Sequence, residues 1–134
     1  MTHGRVGEEL VNSAQMILGP LKDVYTFPLL TGMSPEEYRE QIVKVMDMAP
    51  EGSIIMTDLF GGTTSNIAAL LSQKYRVSAV SGVNMAMLIE ADLLRNSCVG
   101  EELANALIAV GKDSLKNIVR TLEERKNSRL VQGG

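Results

Sequence analysis

Short apolar strand patterns alternate with amphipathic helix patterns along most of this chain, joined by short links. That alternation predicts an α/β fold, a mainly parallel sheet with helices on both faces. Residues 6–18 place Val6, Leu10, Ala14 and Ile17 at helical spacing, with Val11 and Leu18 beside them, and Gly19-Pro20 stops the helix. Residues 24–29 read as a short strand. The run SPEEYREQIVKVMDM follows with strong helix-start chemistry. Ser34 is placed to cap, Pro35 suits the first helical position, and Glu37 completes a Ser-x-x-Glu box. Tyr38, Ile42, Val45, Met46 and Ala49 give this helix its apolar face.

A second strand is predicted at 53–58, then a helix from NIAALLSQ, a strand from YRVSAVSG and a helix from VNMAMLIEADLLRN. Beyond Gly100, the residues Ala104, Ile108, Leu115, Ile118 and Leu122 mark a last long helix, broken near Gly111. Residues 1–125 form one domain on this reading. Residues 126–134 form a tail in which Arg129-Leu130-Val131 is a candidate edge or exchanged strand. One feature departs from the pattern. Sheets of this kind begin with a strand, whereas this chain begins with the loop that should follow one.

The chemistry concentrates in loops. In TDLFGGTTSN, residues 57–66, Asp58 ends a strand and Gly61-Gly62 lets the backbone approach a ligand closely. Thr63, Thr64 and Ser65 then open a helix whose N–H groups attract an anion. Ligands of open parallel sheets bind at the carboxyl ends of strands, where this loop lies. The segment lacks the Gly-Lys-Ser/Thr ending of a Walker loop and is not a dinucleotide fingerprint. By itself it also fits a plain strand-to-helix turn without a ligand.

His3, the sole histidine, is followed by Gly4 and a helix, and should stand on the same sheet edge as Asp58. A carboxylate that accepts a hydrogen bond from one imidazole nitrogen fixes the tautomer and leaves the other free to attack. A terminal histidine taken alone also fits a solvated bystander. In SGVNMAMLIE, residues 81–90, Asn84 is placed to cap a helix and to stand as a neighbouring wall of the pocket. Met85 and Met87 are candidates for the border of a partner surface, and Arg5 is a candidate phosphate contact or a solvated side chain.

Composition narrows the classes. A net charge of −3 gives no nucleic-acid footprint, and one cysteine, Cys98, excludes an internal disulfide and a cysteine metal cluster. No apolar run reaches the length of a membrane span. A reducing cytoplasm fits, and no metal ligand set or bound cofactor is expected.

Together THG before an amphipathic helix, TDLFGGTTSN and SGVNMAMLIE resemble the mannose-family enzyme IIA domain of the bacterial phosphoenolpyruvate-dependent sugar phosphotransferase system. The resemblance runs over about residues 2–122, in the family's order and spacing. It implies an α/β homodimer in which a C-terminal strand of one subunit can complete the sheet of the other. It implies that His3 accepts a phosphoryl group from the phosphocarrier protein HPr and passes it to a IIB domain, with Asp58 orienting the imidazole. Gly61, Gly62 and Thr63 match the family's phosphate loop. Gly4, Asn66 and Asn84 match supporting positions. Membrane IIC and IID components enter as indirect partners, which places the protein in the cytoplasm or peripheral to the membrane.

Two features depart from the family. Ala86 stands where a proline is usual, and the apolar strand expected directly before THG is missing from this sequence. That strand lies, in the family order, between those read at 24–29 and 53–58. Without it the two should stand about 9–10 Å apart, two strand spacings. The expectation is therefore a reading frame that continues upstream of Met1 by roughly four to eight mostly apolar residues, a usual strand length. Two other readings stand beside the sugar-uptake carrier. One is a regulatory or dihydroxyacetone kinase-type phosphotransfer module, in which SHS is commoner than THG. The other is an inactive truncated homologue. The residues do not choose among sugars.

Overall fold

A computed structural model describes residues 1–133; the last residue of the expected tail, Gly134, lies outside them. The expected α/β layering is present. Strands β1 (Thr2–His3), β2 (Pro28–Leu29), β3 (Ile54–Thr57) and β4 (Ser78–Ser81) are all paired in parallel. Helices α1 (Val6–Leu18), α2 (Pro35–Met46), α3 (Gly62–Tyr75), α4 (Met85–Leu94) and α5 (Gly100–Asp113) cover the sheet, and α6 (Ile118–Gln132) follows.

β1 pairs with β2 in the register Thr2 to Pro28 and His3 to Leu29. β3 pairs with β4 from Ile54 opposite Ser78 to Thr57 opposite Ser81. The two pairs meet at β1: the Met1 amino group donates to the Met56 carbonyl at 2.9 Å, and the His3 N–H donates to the Asp58 side chain. Residues 1–3 thus stand between β2 and the end of β3, in the gap that the reading of 24–29 and 53–58 left open. Below Met1 the walls part around an apolar cleft of about 760 Å³, lined among others by Leu10, Val11, Phe27, Ile42 and Leu103.

Alternation along β3 sends its side chains to both faces. Ile55 joins Tyr38, Ile42 and Met46 of α2 and Ile67, Ala68 and Leu71 of α3 in one buried cluster. Ile54 and Met56 pack against the other, made of Val80, Met87, Ala91, Leu103, Ala104 and Leu107. Helices therefore bury apolar surface on each side of a sheet only a few residues long. Burial of each such large side chain stabilises by about 1.5–3 kcal/mol.

Helix-start chemistry acts as read for α2. Ser34 Oγ accepts from the Glu37 N–H at 3.1 Å while Glu37 Oε2 accepts from the Ser34 N–H at 2.8 Å, closing the capping box ahead of Pro35. Four expectations need correction. Only Pro28 and Leu29 of residues 24–29 are strand: Val24, Tyr25 and Thr26 line the cleft, and Phe27 meets β1 only through its carbonyl, which accepts from the Thr2 N–H at 3.3 Å. Val6 and Ile17 of α1 are exposed, since Ala14 and its half-buried neighbours Leu10, Val11 and Leu18 face the body. The buried face of α5 is Leu103, Ala104, Leu107 and Gly111, whereas Ile108 is exposed; the break expected near Gly111 falls after Asp113. Finally, Arg129–Val131 are helical, within α6, not an edge strand. The Asn117 side chain caps α6 through the Arg120 N–H at 3.1 Å.

Candidate functional site

Four loops leave the carboxyl ends of the strands, and two of them meet at one carboxylate. The backbone N–H of His3 donates to Asp58 Oδ2 at 2.9 Å. Nδ1 of the same residue lies 3.1 Å from Oδ2 and 3.3 Å from Oδ1. An ionised carboxylate can only accept, so Nδ1 carries the proton in this pair and Nε2 keeps its lone pair. The His3 side chain is 48% exposed and that of Asp58 19%, so the ring opens to solvent while its anchor is largely covered. Burial pushes the Asp58 carboxyl upward. Hydrogen bonds from the His3 N–H and ring, together with the electrostatic attraction of His3, outweigh it and hold the carboxyl below its ordinary value.

Backbone conformation delivers the histidine. β1 points His3 outward and Thr2 inward, and Gly4 turns the chain at a φ of +53°, a conformation that a Cβ disfavours. The Gly4 N–H donates to the Leu29 carbonyl at 2.9 Å, which ties this turn to β2. Arg5 reaches Glu8 at 2.8 Å on the surface and its side chain faces solvent.

The loop after Asp58 bends at Gly61 and Gly62, with φ of +92° and +78°. No side chain caps α3, so the N–H groups of its first turn, at Gly62, Thr63 and Thr64, are not satisfied by a capping group. Such a turn attracts an anion. In that turn Thr64 is fully buried, and its Oγ1 has no partner among the described residues. Leu59 and Phe60, between Asp58 and the glycines, are 60% and 86% exposed and form an apolar rim on the loop.

Of the residues singled out from sequence, His3, Gly4 and Asp58 come together directly, and Gly61, Gly62 and Thr63 follow on the same loop as Asp58. Asn84 stands on the neighbouring loop, which is held to the end of β3 by the Val83 N–H donating to the Thr57 carbonyl at 2.9 Å. Its side chain accepts from the Met87 N–H at 3.0 Å, so its visible task is capping α4. Asn66 is exposed on α3 and makes none of the site's hydrogen bonds among the described residues. Met87 corrects the expectation of a partner surface: it is 3% exposed and packs where a Cβ on Gly111 would come within 2.8 Å of its sulfur. Cys98 is half-buried against the α4–α5 cluster.

Sequence reasoning missed two residues that support the site. Tyr38, fully buried on α2, donates its hydroxyl to the Phe27 carbonyl at 2.6 Å. Burial and the charge of Asp58 both push that hydroxyl upward, keeping it a donor. Thr2, 2% exposed, bonds into the start of α1. Its signal lay within THG, three residues before the N-cap position, Arg5. Among the described residues no cluster of side chains is placed to hold a metal ion, and no helix is long and apolar enough to cross a membrane.

Residues 1–108 match the family described as PTS system fructose IIA component, EIIA-man. The PTS system fructose-specific EIIA component of Bacillus subtilis is 28% identical over 94% of this chain and 88% of its own length. The PTS system mannose-specific EIIAB component of Escherichia coli is 27% identical over 86% of this chain, which spans 37% of that longer protein. Among solved structures, the mannose/sorbose specific IIA subunit of the phosphotransferase system from Enterococcus faecalis superposes with a TM-score of 0.78. It is 30% identical, over 87% of this chain and 89% of its own.

Proposed function

The chain belongs to the EIIA-man family of phosphotransferase-system IIA components, and on that premise we propose that His3 is a phosphoryl carrier between HPr and a IIB domain. The observation that carries this reading is the His3–Asp58 pair, which fixes the proton on Nδ1 and leaves Nε2 as the nucleophile. The donor is a phosphohistidine. Nε2 forms a bond to phosphorus as the donor's phosphorus–nitrogen bond breaks, and the released electron pair stays on the donor's imidazole. Nothing is oxidised or reduced. The positive charge that the phosphorylated ring acquires is stabilised by Asp58.

The transferring phosphoryl group needs positioning and charge stabilisation more than covalent help. The uncapped first turn of α3, reached through Gly61 and Gly62, supplies N–H donors for its oxygens. The exposed Leu59 and Phe60 rim supplies apolar surface that a docked partner would cover, excluding water. Gly4 gives the histidine its turn, while Asn84 holds the neighbouring wall. Asn66 takes a supporting place on this reading, from its position in the TDLFGGTTSN motif.

On this reading the protein works in the cytoplasm, as a homodimer, and serves IIC and IID components at the membrane through its IIB partner. What supports a dimer is α6, on which Ile118, Val119, Leu122, Leu130 and Val131 are all more than half exposed. The geometry of Nδ1 against Asp58 favours a working carrier over an inactive homologue. Incubation with phosphoenolpyruvate, enzyme I and HPr, with His3→Ala as control, tests the proposal.

A further inference from the structure

Helix α1 begins without a cap of its own. Arg5, at its N-cap position, makes no side-chain capping bond. The missing acceptor comes from β1: Thr2 Oγ1 accepts from the Gly7 N–H at 2.8 Å, across five residues, and lies 3.5 Å from the Gly4 carbonyl. Thr2 is 2% exposed, and a Cβ on Gly7 would stand 3.1 Å from its Oγ1 and 3.2 Å from its Cγ2. Thr2 and Gly7 are therefore a close-packed pair that closes the turn His3-Gly4-Arg5 from beneath.

The backbone that presents His3 to Asp58 is this turn. The N–H and the ring of His3 both address Asp58, and both depend on where residues 2–5 place its Cα. From this geometry we propose that Thr2 is a positioning residue: its hydroxyl, by fastening β1 to the start of α1, holds His3 in register with Asp58 and so keeps Nε2 free. The inference rests on the carrier reading for its kinetic consequence, but not for its structural one. Thr2 touches neither the imidazole nor the place of the phosphoryl group.

Two substitutions separate the hydroxyl from the packing. Thr2→Val keeps the shape and loses the acceptor, and Thr2→Ser keeps the acceptor and loses a methyl. Because His3 is the sole histidine, ¹⁵N-histidine labelling yields one pair of ring nitrogen resonances, free of overlap. In the parent protein the two should be well separated, one protonated and one not. In Thr2→Val they should move toward an average as the ring leaves Asp58, and in Thr2→Ser they should return to the parental positions. Gly7→Ala, which keeps Thr2 but crowds its Oγ1 and favours the helix, should also average them. It serves if Thr2→Val loses its helical circular dichroism.

The phosphoryl-transfer rate should fall roughly ten- to hundredfold in Thr2→Val, the scale of a small misplacement of a reacting group, and be restored in Thr2→Ser. Parental ring resonances in both folded Thr2→Val and Gly7→Ala would overturn the proposal, as would a slowed Thr2→Ser. A parent protein that takes no phosphate from phospho-HPr would defeat the carrier reading instead, while the ring spectra would still decide the role of Thr2.

Discussion

The backbone N–H and the ring Nδ1 of His3 converge on one oxygen, Asp58 Oδ2, at 2.9 and 3.1 Å. One carboxylate thereby fixes both the place of the histidine along the chain and the orientation of its ring. Removing its charge should disturb the chemistry more than the fold, because Asp58 lies at the sheet edge and outside both buried clusters.

Asp58→Asn should fold as the parent does and transfer phosphate more slowly. Asparagine keeps the volume but loses the charge that favours an imidazolium, and its amide can present a donor to Nδ1. Groups of this kind contribute on the order of 10²–10⁴-fold. Rapid-quench transfer kinetics with His3 intact measure it, and equal rates would remove Asp58 from the mechanism.

The same pair sets an acid dependence. Although burial raises the Asp58 carboxyl, the hydrogen bonds and electrostatic attraction of His3 bring it below its ordinary value. A carboxyl whose folded pKa lies below its unfolded one adds stability above the unfolded value, and loses it as the pH falls through the folded value. Stability should therefore drop on acidification below about pH 4. In Asp58→Asn the drop should be shallower. Thermal unfolding at stepped pH tests this; curves of parent and variant that stay parallel from neutral to acid would contradict it.

Tyr38→Phe should lower stability by about 1 kcal/mol, the net worth of one hydrogen bond, because the Phe27 carbonyl keeps the Thr2 N–H at 3.3 Å as its other donor. The lost bond is the 2.6 Å contact to the Phe27 carbonyl, which steadies the approach to β2. Urea unfolding gives the value. An unchanged midpoint would show that the Thr2 N–H alone satisfies the Phe27 carbonyl.

Much of this arrangement is legible in the sequence, for physical reasons that differ by element. The capping box of Ser34 and Glu37 and the cap at Asn84 are local, so a few residues specify them. His3 and Asp58 are 55 positions apart, yet the parallel layering brings strand ends to one edge and so predicts their meeting. What failed was nonlocal. Whether residues 24–27 are strand depends on what lies beside them, not on their own β-propensity. Arg129-Leu130-Val131 has an apolar pair that suits a strand edge, but capping at Asn117 starts α6 and its Leu, Glu, Arg, Lys and Gln residues favour carrying the helix through it. Thr2 and Met87 act through the partners they meet, Gly7 and Gly111, and neither pairing has a spacing rule.

Light scattering at micromolar concentration should give the mass of a dimer. Helix α6 buries none of its residues within the chain, so its apolar side chains are the ones a second copy would cover. Val119→Asp together with Leu122→Asp should then halve the mass without loss of the core. A parent protein that is monomeric at that concentration would contradict the dimer.

The central claim is that His3 carries phosphate, and the intact mass of the protein after incubation with phosphoenolpyruvate, enzyme I and HPr tests it most directly. The account predicts one added phosphoryl group on the parent, labile to acid and stable to base as a phosphohistidine is, and none on His3→Ala. An unmodified parent, or the same added mass at unchanged yield in His3→Ala, would contradict it.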